Sequence, residues 1–226
     1  MKLDQIRLLR KRFVDEHLSQ TPYPWAYRWE CQETFQEIWD INVLDFANMY
    51  DRALTHAYSG SLWGGNHQSA KSIMIDFIAI DREYVRSMFK DLFTPQKDLT
   101  MRVERFHFHC DQLLEQLQKQ NRRLNHHMHE GFYLPTLYLS LRFPWQICPY
   151  DPEVFSTALA RIGAKEPAHH SLSRFVKIIP ILQSQLTADE NLMDLLRRKI
   201  NLKDSQMYDS LWLSYEFYHF ITTQKL

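Results

Sequence analysis

Glycine is scarce in this chain. Only five of its 226 residues are Gly, against a usual share of about 7%. Valine is scarce too, with six Val beside 28 Leu. A β-sandwich or barrel needs turn glycines and β-branched strands, so both are disfavoured, as are glycine-dependent nucleotide folds. No charge of one sign dominates: Lys+Arg and Asp+Glu are 27 each, so no global basic field marks a nucleic-acid binder. No run of about 18 apolar residues exists, and no membrane span is expected. The first residues, Met1 to Arg7, are charged where a signal peptide needs an apolar core, so a cytoplasmic protein is expected. Three cysteines, Cys31, Cys110 and Cys148, form no C-x-x-C pair. That fits a reducing compartment and no disulfide framework.

What is present is apolar and aromatic. The hydrophobic fraction is 45% and the aromatic fraction 14%, enough apolar surface to offset the entropy of ordering. The pattern is helical nearly throughout. Leu3, Ile6, Leu9 and Phe13 recur at three- and four-residue steps, and Pro22 and Pro24 limit that helix. A helix is expected from Glu30 to Trp39. Asn42 is expected to cap the next, with Asp45 in its first turn. Asp81 begins another, and Thr94-Pro95 opens a long helix reaching Arg122. Asp151-Pro152 starts a helix that ends at Gly163. Thr187 to Glu190 fits a capping box. Asp204 to Ile221 reads as a last, aromatic helix, either buried or a docking face. No fixed-period repeat or low-complexity linker occurs, and 163–170 is the best internal boundary. The expectation is an all-α, single compact domain, residues 1–226, of roughly ten helices.

Three sets of residues bear on chemistry. The glycine loop Ser59–Asn66 has half of a phosphate-binding G-x4-G-K-S/T pattern, but Asn66 and His67 stand where Lys and Ser/Thr are required, and no strand precedes it. An interhelix turn needing positive φ explains it better. Histidines gather between His107 and Glu130. On a helix His107 and His109 point about 200° apart and cannot share a metal. His126, His129 and Glu130 are the candidate ligands of a metal-dependent enzyme, and exposed histidines near a helix end are the simpler explanation. No G-x-S-x-G elbow supports serine catalysis. Basic clusters lie at Arg7 with Arg10, Lys11 and Arg12, at Arg122-Arg123, and at Arg197, Arg198 and Lys199 with Lys203. Such faces suit phosphates, with Trp25, Tyr27 or Trp63 as stacking platforms, though most charge runs are simply solvated.

A set of aromatic and charged signposts runs in order along the chain. They are Tyr27-Arg28-Trp29-Glu30, Phe35, Trp39-Asp40 and Asp45-Phe46, then Asp81 through Phe93, Asp98-Leu99 and Arg105-Phe106. Asn125-His126 and Tyr138 through Pro144 complete the set. In this order they resemble the helical amino-terminal domain that precedes the motor in some bacterial AAA+ ATPases related to the GTP-dependent subunit of methylcytosine-specific restriction systems. The similarity covers residues 22–220. It implies a non-catalytic recognition or adaptor module of a restriction or defence-type system, binding DNA or a partner such as an AAA+ motor or a nuclease, without a cofactor of its own. It transfers no catalytic residue. The chain departs from such ATPases in having no Walker A lysine and no Walker B, so it is either a stand-alone relative or a domain of a longer protein. His127 and His129 stand outside the family's pattern. A purely structural or homo-oligomerisation domain, with the final aromatic helix as interface, is the further alternative.

Overall fold

The helical periodicity is realised in the computed structural model, which describes residues 2–63, 67–120, 125–164 and 171–224. Among the described residues there are twelve α-helices and no strand. The first helix, α1 (Leu3–Arg12), runs directly into a π-helical segment, Phe13–Leu18. It therefore ends well before Pro22, and Phe13, His17 and Leu18 are buried on the wider turn. Next come α2 (Tyr27–Ile38), α3 (Phe46–Ala53), the short α4 (Gly60–Trp63), α5 (His67–Ile80), α6 (Arg82–Leu92) and α7 (Leu99–Gln120). The second half holds α8 (Tyr133–Arg142), α9 (Pro152–Arg161), α10 (Leu172–Thr187), α11 (Glu190–Lys199) and α12 (Trp212–Thr223). A 3-10 turn, Ser205–Asp209, precedes α12, so the expected single helix from Asp204 is two elements.

Several starts fall a few residues from the sequence expectation. Asp45, not Asn42, caps α3, its Oδ1 accepting the Asn48 amide at 3.2 Å. Residues 41–44 cannot join a helix because their carbonyls face α6. Arg86 donates to the Ile41 and Val43 carbonyls and Arg82 to that of Leu44. Asp98 rather than Thr94 caps α7, accepting the Met101 amide at 3.0 Å. The Thr94 hydroxyl is already spent on the Lys90 carbonyl, closing α6. Asp189 caps α11, whereas Thr187 is the last residue of α10 and bonds back to the Gln183 carbonyl. Asp81 and Asp151 cap as the sequence indicates. Gly163 adopts φ +67. Its amide reaches the Ala160 carbonyl and the Ala164 amide reaches Leu159, the paired bonds of a left-handed helix stop.

The buried apolar residues form one cluster. At its centre is α8, whose residues Leu134 to Leu141 are all buried, as expected of a helix enclosed on every side. On one flank Trp39 meets Phe35, Phe46, Phe89 and Phe93 at ring distances of 4.7–6.0 Å. On the other flank α12 packs against α9 and α10, with Tyr218 edge-on to Phe155 at 5.6 Å. The aromatics of α12 are thus buried in the chain's own core. The amino-terminal segment is tied to elements beyond the expected boundary: Arg10 of α1 donates to the Gln185 carbonyl of α10 and pairs with Asp189. Residues 165–170 of that boundary lie outside the described residues, as do Gly64, Gly65 and Asn66 of the glycine loop, the side chain of His67, and Arg122-Arg123.

Candidate functional site

α11 lies alongside the π-helical segment that continues α1, with Arg10 at its Asp189 start and Lys199, at its other end, on the Ser19–Thr21 turn, so the two basic clusters flank the ends of one edge. Much of their charge is spent within the chain. Arg10 donates to the Gln185 carbonyl at 2.6 Å and pairs with Asp189 at 3.0 Å. Arg12 pairs with Glu16 at 2.9 Å. Lys199 donates to the carbonyls of Ser19 and Gln20 and to the Thr21 hydroxyl, clamping the turn before Pro22. Arg197 pairs with Asp194, and Arg198 uses its Nε on the Asp194 carbonyl. Lys11 stands exposed.

Beside this edge opens a groove of about 700 Å³. It is lined by the turn Thr21 to Pro24, by Tyr27, Glu30 and Tyr58, and by Arg198 and Lys199. Lys199 holds the start of that turn through Ser19, Gln20 and Thr21. Tyr58 is 64% exposed, a large ring in water that lines the same groove as the Arg198 guanidinium. That pairing suits a ligand carrying both a planar ring and an anionic group, since rings stack and guanidinium groups bind phosphate. Of the platforms suggested by the sequence, Tyr27 lines the groove although nearly buried, and Trp63 is buried. Trp25 is stacked against His17 at 3.8 Å. Tyr58 carries no periodic signal that would single it out. A second, smaller cavity of about 380 Å³ joins Lys90 and Arg142 to Trp39 and Phe93, a combination that scattered sequence positions do not reveal.

The histidines divide as their helical phase requires. His107 bonds the Gly131 carbonyl at 2.8 Å and His109 the Tyr84 hydroxyl at 2.7 Å, on separate sides of α7. His126 and Glu130 lie 3.5 Å apart on the surface, while His129 is buried. The structure therefore does not gather His126, His129 and Glu130. Instead Cys110, His127 and His129, all buried, place one donor atom each within 4.8 Å of the other two. His127 and His129 can share a side because Met128 between them has φ +64, a left-handed conformation costing a non-glycine residue about 1 kcal/mol or more.

Hydrogen bonds fix both rings. His127 Nε2 donates to Asp111 Oδ1 at 3.1 Å, and its Nδ1 accepts the His129 amide at 3.0 Å. His129 Nδ1 donates to the His127 carbonyl at 2.6 Å, so its Nε2 is the acceptor and takes the Tyr138 hydroxyl at 3.2 Å. Tyr138 in turn shares a 2.8 Å bond with Tyr50. Burial first, then the nearby Asp111 and Glu130, hold the Cys110 thiol well above its ordinary pKa. A sealed, protonated thiol is no nucleophile.

A third polar cluster went unread in the sequence. Glu216 of α12 is 1% exposed, accepts from His17 Nε2 at 3.1 Å and pairs with Arg28. Its partners lie at the other end of the chain, where no spacing rule applies. Burial, with Arg28 adding, lowers the pKa of His17 to about 4 and that of His219 to about 3.

Family models, curated proteins and solved structures were all compared with the chain, and none matches it. No helix among the described residues is long and apolar enough to cross a membrane.

Proposed function

We propose that the chain is a non-catalytic recognition module that binds nucleic acid, seating a base against Tyr58 and phosphates on Arg198 and the adjoining basic edge. The observation that carries this reading is the groove, in which exposed aromatic surface and cationic side chains occur together. Stacking accepts any base and the cations accept any phosphate, so such contacts position a strand without reading its sequence. Arg10 and Lys199 serve mainly as supports of this edge, leaving Arg198, Lys11, Arg12 and Arg197 as the phosphate contacts. The zero net charge is compatible with a local site and implies modest affinity that falls with salt.

The resemblance in the sequence supports the setting: a cytoplasmic component of a restriction or defence-type system whose motor or nuclease is another domain or another protein. The non-catalytic reading rests on the burial of Cys110 and its histidines. The test is titration of fluorescently labelled single-stranded and duplex DNA, with and without cytosine methylation, at two salt concentrations. Binding at low salt that weakens as salt rises supports the proposal; no binding at low salt removes it.

A further inference from the structure

Cys110, His127 and His129 are arranged as more than a packed cluster. A histidine that ligates a metal characteristically donates its other ring N–H to a carboxylate or a backbone carbonyl, which fixes the tautomer and aims the lone pair. Both forms are present here. Asp111 holds His127 Nε2, leaving Nδ1 as the lone-pair nitrogen. The His127 carbonyl holds His129 Nδ1, leaving Nε2 as the lone-pair nitrogen. The two lone pairs are met by the His129 amide and the Tyr138 hydroxyl. The left-handed Met128 is the backbone device that turns two residues of i, i+2 spacing to one side, as no helix can.

We propose that Cys110 Sγ, His127 Nδ1 and His129 Nε2 form a buried site for a zinc-type divalent cation, with Asp111 and the His127 carbonyl as its outer supports and a water as fourth ligand. One thiolate with two imidazoles is a borderline-soft donor set that suits zinc and not magnesium or calcium. Ligand distances of about 2.0–2.3 Å require donor atoms about 3.5 Å apart. The present separations lie within 4.8 Å, so binding requires a closure of about an ångström, with the His129 amide and the Tyr138 hydroxyl releasing the two nitrogens. Binding removes the Cys110 thiol proton to solvent as the sulfur–metal bond forms, one proton for each ion bound. The ion joins the middle of α7 to the chain entering α8, the central helix. This site is independent of the groove and of nucleic-acid binding.

The experiment uses the full chain, purified without a histidine tag and stripped with chelator, and titrated with Zn²⁺ or Co²⁺ alone. The expected result is one equivalent bound, a higher Tm, and a cobalt spectrum with a tetrahedral ligand-field band and a thiolate-to-cobalt band. Cys110→Ser abolishes the thiolate band. Asp111→Ala weakens binding by about 10- to 100-fold, as loss of an outer support does. His126→Ala and Glu130→Ala leave it unchanged. A folded chain, verified by circular dichroism, that binds less than a stoichiometric ion overturns the proposal. So does a thiolate band that survives Cys110→Ser, or binding lost with His126→Ala.

Discussion

His17 and Glu216, 199 positions apart in the chain, share a hydrogen bond of 3.1 Å inside the protein, and Arg28 closes on the same carboxylate. A buried carboxylate is tolerated only when paired, and removing one member of such a pair strands the other in a low-dielectric site. Glu216→Ala is therefore expected to destabilise the fold by about 3–5 kcal/mol, with Glu216→Gln milder because the amide oxygen still accepts from His17. Urea denaturation of both variants measures this. A loss under about 1 kcal/mol for Glu216→Ala, within the range of exposed pairs, contradicts it.

The same cluster predicts a pH dependence. Both histidines have folded pKa values below the ordinary 6.5, about 4 for His17 and about 3 for His219. Between those values and 6.5 the unfolded chain binds protons that the folded chain does not. Stability from these groups is therefore complete above pH 6.5 and is lost as the pH falls toward 4. Each histidine contributes a slope of about 1.4 kcal/mol per pH unit. His219→Phe should remove one such slope between pH 6.5 and 5, as read from urea midpoints. A slope identical to the parent's contradicts the assignment.

The caps supply a local prediction. Asp81 Oδ1 accepts the Tyr84 amide at 2.9 Å, and Asp151 Oδ1 the Val154 amide at 3.2 Å. Asp81→Ala and Asp151→Ala should each cost about 1 kcal/mol. Gly163→Ala should cost at least as much, since φ is +67 and a Cβ there would sit 3.1 Å from the Lys2 side chain. Thermal unfolding of the three single variants tests these values. Tm values equal to the parent's contradict them.

Much of the fold is legible in the sequence because helices are local. Apolar spacing gives their number and faces, and Asp81, Asp151 and Gly163 mark ends through bonds made within a few residues. The misplaced starts have two causes: a distant group takes the backbone at residues 41–44, and a competing nearby side chain caps α7. Arg82 and Arg86 take the carbonyls that an Asn42-capped helix would need. The Thr94 hydroxyl and the Asp98 carboxylate divide between two helix ends the role assigned to Thr94 alone. Several aromatic and charged signposts are in fact supports of the fold. Asp45, Asp81 and Asp98 cap helices, Arg86 holds the residue 41–44 loop, and Trp39 centres an aromatic cluster.

The candidate sites were less legible. The groove joins the turn before Pro22, Tyr58 and the end of α11, three segments related only by tertiary packing. The Cys110 cluster depends on a left-handed Met128 that no residue preference announces, since methionine rarely adopts that conformation. The histidine-rich region was visible as a composition. Which of its nitrogens face one another was decided by a single backbone angle.

The central claim, recognition through the tyrosine-lined groove, is tested most directly by fluorescence anisotropy of a labelled single-stranded oligonucleotide with the parent chain, Tyr58→Ala and Arg198→Ala. Both side chains are exposed at the groove, so the variants keep the parent's circular dichroism and Tm. Tyr58→Ala is expected to weaken binding at least about fivefold, the loss of one stacked base. Arg198→Ala should weaken it and lower the slope of log K against log salt by about 1. Affinities and salt slopes equal to the parent's in both variants, or no binding by the parent at low salt, would contradict the account.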